Sequence, residues 1–202
     1  MGLVTFKGGI HPPHAKKYTE HLAIENYLAP KIVEIPLRQH IGAPCEPIVK
    51  KGDAVKVGQK IGASDAYVSA HVHSSVSGTV IDVRRQFTAY GFDVCVIIEN
   101  DGLETIDESV LPKKEYQSYR GEEIIAFIKE AGIVGMGGAG FPTHVKLSPP
   151  NEKVIDTIIL NGAECEPYLT CDHRLMLEDS HSIVQGLLIL MHALNVKNAY
   201  IG

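Results

Sequence analysis

Residues 135–140 carry the sequence pattern best suited to binding a ligand. Four of the six positions are glycine: Gly135, Gly137, Gly138 and Gly140. Because glycine has no Cβ, the main chain there can adopt positive φ values and approach a ligand closely. Consecutive exposed N–H groups bind phosphate well, and Lys146 can add a positive charge nearby. The loop therefore predicts an anion site, and the alternative on the glycines alone is a flexible turn.

This glycine loop follows a predicted helix rather than a strand, so it does not fit the dinucleotide fingerprint of a Rossmann fold. A second polar segment contains Asn161, Glu164 and Glu166, and it follows an apolar run that predicts a buried strand over residues 154–160. In open α/β sheets, ligands collect beyond the carboxyl ends of the strands. The segment is a second candidate for ligand contact, and the alternative is a solvated loop.

The cysteines do not form a metal-binding pattern. The chain contains four of them: Cys45, Cys95, Cys165 and Cys171. Since none belongs to a C-x-x-C pair, a zinc ribbon or an iron–sulfur cluster held wholly by this chain is disfavoured. The N-terminus lacks the pattern of a secretory signal, which predicts free thiols in a reducing compartment.

Two histidine pairs are candidate metal ligands, although a structural role is favoured for both. His71 and His73 alternate along a predicted strand and so share one face, but no third ligand is in view. His11 and His14 lie in a stretch rich in glycine and proline, which predicts a polar arm on the surface. We therefore predict no metal site in this chain.

The element pattern changes near residue 120. Residues 1–30 predict an irregular arm, and residues 31–100 predict a small β sandwich or barrel of short strands separated by turn signals. Residues 101–119 are polar, contain Pro112 and predict a linker. Two acidic residues, Glu122 and Glu123, then open a segment with helical spacing, as suits the positive end of a helix dipole.

Residues 120–202 predict the start of an α/β domain. A helix ends near Gly132, and the strand over residues 154–160 follows; Asp172 then begins one long helix that ends at Asn195, before a further strand near residue 200. Strand, helix and strand at these lengths indicate a βαβ unit and hence a parallel sheet. Since a lone βαβ unit makes a poor sheet, we expect the sequence to be a fragment.

Composition excludes several classes of function. The 202 residues carry a net charge of −5 and no tryptophan, which argues against binding nucleic acid by bulk charge or base stacking. No stretch reaches the roughly 18–20 apolar residues of a membrane span. A myristoylation signal is also missing, because Phe6 stands where that motif needs serine or threonine.

The combined motifs resemble a known family. The glycine loop and the residues after it have the pattern G-x-G-G-A-G-F-P-T-x-x-K, and residues 161–167 have the pattern N-x-x-E-x-E-P. Together these patterns resemble the flavin- and NADH-binding subunit of respiratory complex I. The N-terminal stretch F-K-G-G-I-H-P-P, followed by a lipoyl-like β segment, narrows the resemblance to the RnfC family of the Rnf complex. That complex is a membrane-associated ferredoxin:NAD oxidoreductase. The resemblance covers essentially the whole chain.

The resemblance implies roles for individual residues. The four glycines of the loop would wrap the FMN phosphate and ribityl chain, Phe141 would stack near the flavin and nicotinamide, and Lys146 would face phosphate or the dinucleotide. Asn161 would hydrogen-bond the isoalloxazine edge, while Glu164 and Glu166 would line the nicotinamide side. No side chain is implied as nucleophile or general acid. Relatives of complex I commonly carry aspartate and serine at the two positions that are alanine and cysteine here, 163 and 165.

The resemblance also implies cofactors, partners and a location. The full-length subunit would use FMN, NADH and [4Fe–4S] clusters, the clusters being held by cysteine motifs downstream of this chain. Partners would be the other Rnf subunits, NAD(H) and, indirectly, ferredoxin. The protein would be peripheral on the cytoplasmic face of the bacterial inner membrane, held there through its partners, and this chain alone would be inactive.

Three other functions are open. The β segment resembles biotinyl and lipoyl carrier domains, but residues 64–71, where a carrier holds its modified lysine, contain no lysine. This predicts a docking or spacing module rather than a carrier. A non-catalytic scaffold within the complex is the second alternative. A cobalamin reductase of the PduS type is the third, and it is disfavoured because that family begins near the glycine motif.

Overall fold

The computed structural model describes residue 10 and residues 12–110, 114–150 and 152–202. The F-K-G-G part of the N-terminal motif, His11 and Pro112 lie outside these residues. The first seven strands, all short except the last two, are β1 (Ile32–Pro36), β2 (Glu46–Pro47), β3 (Ala54–Val55), β4 (Lys60–Ala63), β5 (Val72–His73), β6 (Gly78–Thr88) and β7 (Gly91–Asn100). They confirm the predicted β sandwich.

The sandwich consists of two sheets, with strand orders β1-β7-β6-β3 and β2-β4-β5. All of their strand pairs are antiparallel. Side chains of both sheets form one core around Leu37, Ile61, Val80, Val96 and Ile98, which are almost fully buried. This burial of alternate residues from both sheets stabilises the sandwich through the hydrophobic effect.

The described residues of the arm and the linker are irregular, and both segments are hydrogen-bonded to the rest of the chain. Among these residues, the arm has one 3-10 turn, Lys16–Tyr18, and the linker has two, Glu108–Val110 and Tyr116–Ser118. The linker begins against the sandwich, where the amide of Val57 donates to the carbonyl of Thr105 at 2.9 Å.

The second domain contains four helices and a parallel strand pair among its described residues. They are α1 (Gly121–Glu130), α2 (Thr143–Lys146), β8 (Thr157–Leu160), α3 (Cys171–Glu178), α4 (Ser180–Leu194) and β9 (Asn198–Ile201). Helix α1 packs on α4 and α2 through Ile124, Ile128 and Leu147. Strand β8 pairs with β9 in parallel, which confirms the predicted βαβ arrangement. No helix among the described residues is long and apolar enough to cross a membrane.

The prediction of one long helix from Asp172 to Asn195 is wrong. The backbone leaves the helical region at Asp179, whose carboxylate accepts a hydrogen bond from the amide of Ser182 and so starts a second helix. Asp172 lies inside the first turn of α3 rather than capping it, and Thr170 takes the N-cap position. The predicted end is correct: Asn195 closes α4 in the left-handed conformation, with φ of 53°.

The prediction of a buried strand before Asn161 is also wrong. Strand β8 is shorter than the apolar run, and Ile159 is 71% exposed. Within the part of the chain that the structure describes, β9 is the only neighbour of β8. A two-stranded sheet cannot cover both faces of its strands, so apolar residues of β8 remain open to solvent.

Candidate functional site

The glycine loop lies between α1 and α2 and is closed at its base like a hairpin. The amide of Gly135 donates to the carbonyl of Phe141 at 2.9 Å, and the amide of Thr143 donates to the carbonyl of Ile133 at 3.0 Å. Gly132 follows the end of α1, just before the loop, and its φ of 66° is accessible to glycine at little cost. These bonds fix both ends of the loop and leave its middle as a protruding turn.

The middle of the loop presents unpaired main-chain donors to solvent. Residues 136–139 are exposed, with Met136 at 91%, and their amides donate to no protein acceptor among the described residues. A Cβ built on Gly137 or Gly138 would have open space within 4 Å. Free N–H groups beside faces without side chains form a cradle that fits an anion such as phosphate.

The far end of the loop is packed rather than open. Gly140 is buried with φ of 59°, and a Cβ there would lie 2.8 Å from the carbonyl oxygen of Gln39 and 3.0 Å from the Cα of His40. The amide of Ile41 donates to the carbonyl of Ala139 at 3.1 Å. The connection between β1 and β2 therefore holds the loop from the sandwich side.

Phe141 and Lys146 both follow the loop and are exposed to solvent. Phe141 lies directly after Gly140, so a ring at that position can reach a ligand bound over the loop. Lys146 is the last residue of α2. The roles predicted for Phe141 and Lys146 stay predictions.

In the segment after β8, the side chains of Asn161 and Glu164 already accept hydrogen bonds from protein amides. Asn161 accepts a hydrogen bond from the amide of Ala163 at 3.1 Å, a local turn of a type common for asparagine. Glu164 has a φ of 38°, and its carboxylate accepts bonds from the amides of Asp172 and His173 at 2.8 and 3.2 Å. That carboxylate caps the N-terminus of α3 from outside the helix.

The electrostatics of Glu164 follow from this position. Partial burial opposes ionisation, but the bonds from the Asp172 amide, the Cys171 thiol and the His173 amide outweigh it and lower the pKa of Glu164. The same carboxylate raises the pKa of the Cys171 thiol. The arm adds a further contact, since the Nζ atom of Lys16 donates to the carbonyl of Glu164 at 2.7 Å.

Sequence reasoning missed the cluster of Glu164, Cys171 and Asp172, whose ligand atoms lie within 4.8 Å of one another. The cysteine lies seven positions after the glutamate, and no spacing motif marks the pair. Because Glu164 is already engaged as a helix cap, we assign no metal to this cluster. All four cysteines are free, as predicted; Cys45 and Cys95 are buried and the other two are exposed.

His71 and His73 lie at β5, beside the end of α1. The Nε2 atom of His71 is 3.4 Å from a carboxylate oxygen of Glu130, which also pairs with the ammonium of Lys60. Desolvation is the main cause that lowers the pKa of both histidines, and the positive charge of Lys60 acts in the same direction. The pair joins the sandwich to the second domain.

The two candidate segments are not joined by a direct polar contact. In the described ranges, no hydrogen bond or ion pair links residues 135–141 with residues 161–166. Glu166 is exposed. The exposed amides of the glycine loop are available to an anion such as phosphate, whereas the carboxylate of Glu164 reaches a ligand only by giving up its bonds to α3.

Comparison with known proteins gives one family match in the N-terminal half of the chain and a different one in the C-terminal half. Residues 4–103 match the family described as RnfC Barrel sandwich hybrid domain, and residues 128–202 match the Nuo51 FMN-binding domain. The C subunit of the proton-translocating ferredoxin:NAD(+) oxidoreductase complex of Clostridium ljungdahlii is 50% identical over 99% of this chain. The chain belongs to the RnfC family.

Other relatives of this RnfC-family chain carry similar names. The C subunit of the Na(+)-translocating ferredoxin:NAD(+) oxidoreductase complex of Acetobacterium woodii is 49% identical over 98% of the chain. Its counterpart in the ion-translocating oxidoreductase complex of Rhodobacter capsulatus is 44% identical over 98%. The chain spans 44%, 45% and 38% of the lengths of the three relatives. It therefore corresponds to less than half of each.

Proposed function

We propose that residues 135–141 bind the phosphate and ribityl chain of FMN, with the open faces of Gly137 and Gly138 against the ligand and with Gly135 and Gly140 fixing the two ends of the loop. The proposal rests on the exposed amides of residues 136–139, which donate to no acceptor in the described part of the chain, and on the open space beside Gly137 and Gly138. A phosphate can accept several of these N–H groups at once, and no reorganisation of side chains is needed. The match of residues 128–202 to an FMN-binding domain supports the same ligand.

The remaining candidate residues complete the proposed site. Phe141 packs beside the flavin and nicotinamide, and Lys146 faces a phosphate of FMN or of the dinucleotide. Asn161 bonds the edge of the isoalloxazine ring, while Glu164 and Glu166 line the nicotinamide side. The bound FMN supplies acceptance of a hydride from NADH and onward transfer of single electrons. The residues of this chain bind and orient, and none acts as nucleophile or general acid.

At the level of the whole protein, we propose an NADH-dependent flavoprotein subunit of an ion-translocating ferredoxin:NAD oxidoreductase complex, as the names of the relatives suggest. In this proposal, [4Fe–4S] clusters lie downstream of this chain, and the other subunits hold the protein on the cytoplasmic face of the bacterial inner membrane. The chain divides into an arm (1–30), a β domain without carrier function (31–100), a linker (101–119) and part of the FMN/NADH domain (120–202).

The test is an FMN titration of the full-length protein, read by flavin absorbance and by fluorescence quenching. The wild-type protein is expected to bind FMN, and Gly138→Leu is expected to abolish binding because its side chain fills the space over the loop. NADH should bleach the flavin band of the wild-type complex. Iron assayed on the same sample tests the proposed downstream clusters.

A matched control separates ligand contact from backbone strain. Gly52 also has a positive φ, 94° against 131° at Gly138, and a Cβ there also meets nothing within 4 Å. Gly52 lies in a turn of the sandwich, so Gly52→Leu carries comparable strain away from the loop. If the wild-type protein binds no FMN, or if Gly138→Leu binds as well as Gly52→Leu, the proposal is wrong and the scaffold alternative is favoured.

A further inference from the structure

The connection between β4 and β5, residues 64–71, contacts the second domain next to the glycine loop. His144 follows the loop on α2 and is only 3% exposed, and its Nε2 atom lies 3.0 Å from the carbonyl oxygen of Tyr67. A carbonyl only accepts, so Nε2 carries the proton and donates it. The Tyr67 and His144 rings also meet edge to face, with centroids 6.0 Å apart.

A second histidine holds the sandwich side of this contact. His40 is 2% exposed, and its Nε2 atom accepts a hydrogen bond from the amide of Ala70 at 3.1 Å. The ring nitrogen Nδ1 must then carry the proton, and it lies 3.1 Å from the carbonyl of Ile41. The next bond in the series runs from the amide of Ile41 to Ala139 in the loop. His40 and Ile41 thus link residues 64–71 to the glycine loop.

The other flank of the loop is held at the end of α1. A Cβ on Gly132 would lie 2.1 Å from the carbonyl oxygen of His71, so α1 approaches β5 as closely as glycine allows. Glu130 pairs with Lys60 and His71 at the same place. Main-chain and side-chain contacts with the sandwich therefore lie before the loop, at its end and after it.

From these contacts we infer that the sandwich is the positioning element of the glycine loop, and that His40 and His144 are its positioning residues. The amides of residues 136–139 are free for a ligand because the bonds that fix the loop are made elsewhere, to residues 39–41 and 67. A loop held in its binding conformation loses less conformational entropy when the ligand arrives. The identity of the ligand rests on the proposed function, whereas the positioning does not.

The first measurement needs no cofactor. In the 202-residue chain, amide hydrogen exchange is followed by NMR at Ile41, Gly135 and Thr143, whose amides donate to residues of the loop or its flanks. His144→Phe keeps the ring but loses the donor, and we expect exchange at Ile41 to rise by about tenfold or more. His144→Gln restores an N–H donor and is expected to recover most of the protection.

His192 is the matched control, because its Nε2 atom makes the same kind of bond, 2.9 Å to the carbonyl of Tyr119, away from the loop. His192→Phe should leave exchange at Ile41 unchanged. If His144→Phe does not fold, His40→Phe tests the same contact from the sandwich. Unchanged exchange at Ile41 in the variant that does fold overturns the inference.

The second measurement is FMN affinity in the full-length protein. His144→Phe is expected to weaken binding by about tenfold, with recovery in His144→Gln and no change in His192→Phe. An equal loss in His144→Phe and His192→Phe would make His144 merely structural and would overturn the inference. If the wild-type protein binds no FMN, the proposed function fails, and the exchange measurement alone decides whether the sandwich positions the loop.

Discussion

The glycine loop and the segment after β8 each follow a regular element, but their hydrogen-bonding groups are used differently. In the loop, the amides of residues 136–139 have no acceptor within the described parts of the chain. In the second segment, the side chains of Asn161 and Glu164 already accept from protein amides. A ligand gains new bonds at the loop, whereas at Asn161 and Glu164 it must replace existing ones.

The difference shows what a sequence motif needs in order to bind. Exposed donors cost little in the free protein because water satisfies them, so they remain available to an anion. A carboxylate that caps a helix stabilises that helix, and recruiting it for a ligand gives up the capping energy. Substitutions at the open positions of the loop should therefore weaken ligand binding without lowering the free energy of unfolding. Substitutions at Glu164 should lower the free energy of unfolding.

The largest effect on stability is expected from Gly140→Ala. Its Cβ would lie 2.8 Å from the carbonyl oxygen of Gln39, at a φ of 59° that alanine adopts reluctantly. The left-handed conformation and the overpacking together are expected to lower the free energy of unfolding by about 2–4 kcal/mol. Urea denaturation measures it, and an unchanged midpoint would show that the loop does not press on the sandwich.

Gly137→Ala should weaken FMN binding and leave stability unchanged. The added Cβ meets nothing within 4 Å in the free protein, and Gly137 does not have a positive φ. We expect an unchanged melting temperature but FMN binding weaker by about 10–100-fold, which corresponds to about 1.4–2.8 kcal/mol. Full FMN affinity in this variant would mean that the ligand does not approach the main chain at this position.

Glu164→Ala tests the second region. Loss of the cap on α3 is expected to lower the free energy of unfolding by about 1 kcal/mol. Glu166→Ala is the control, because Glu166 is exposed and makes no hydrogen bond or ion pair among the described residues. If the two variants unfold at the same denaturant concentration, the capping role is refuted and Glu164 becomes more available to a ligand.

The sequence predicts elements well where the signal is local. Helix α1 is predicted from two acidic residues followed by helical spacing, and it begins at Gly121 as that pattern requires. The break at Asp179 is missed because apolar residues keep a helical spacing on both sides of it. The length of the β6–β7 hairpin is also missed, since its outer part carries exposed polar and aromatic residues rather than a core pattern.

The candidate site also has a part that the sequence predicts and a part that it does not. The glycine loop is visible in the sequence because its chemistry depends on consecutive residues. The contacts that hold it are not visible, because they join residues near 40 and 67 to residues 139–144, which lie at least 77 positions further along the chain. Neither His40 nor His144 lies in a spacing pattern, so only the packing of the two domains reveals them.

The smallest expected effect is on the pH dependence of stability. The groups near the glycine loop and those in the segment after β8 should act in different pH ranges. The pKa values of His71 and His73, beside the foot of the glycine loop, are lowered from 6.5, mainly by desolvation and also by Lys60. The unfolded chain then binds more protons than the folded one just below pH 6.5, so stability falls as the pH drops through that range. Glu164, with a pKa lowered from 4.5, contributes stability above that value and loses it only at lower pH.

NMR titration of the two histidine rings measures this directly, and both are expected to titrate below 6.5. Replacing both by glutamine should flatten the fall in melting temperature just below pH 6.5 and leave the fall below pH 4.5, whereas Glu164→Gln should reduce only the latter. Glu130 also has a lowered pKa, mainly through its bond to Lys60, so part of the acid limb remains in Glu164→Gln. Histidine pKa values above 6.5 would mean that the attraction of Glu130 outweighs the desolvation of the two rings. The protein would then become more stable as the pH falls through that range.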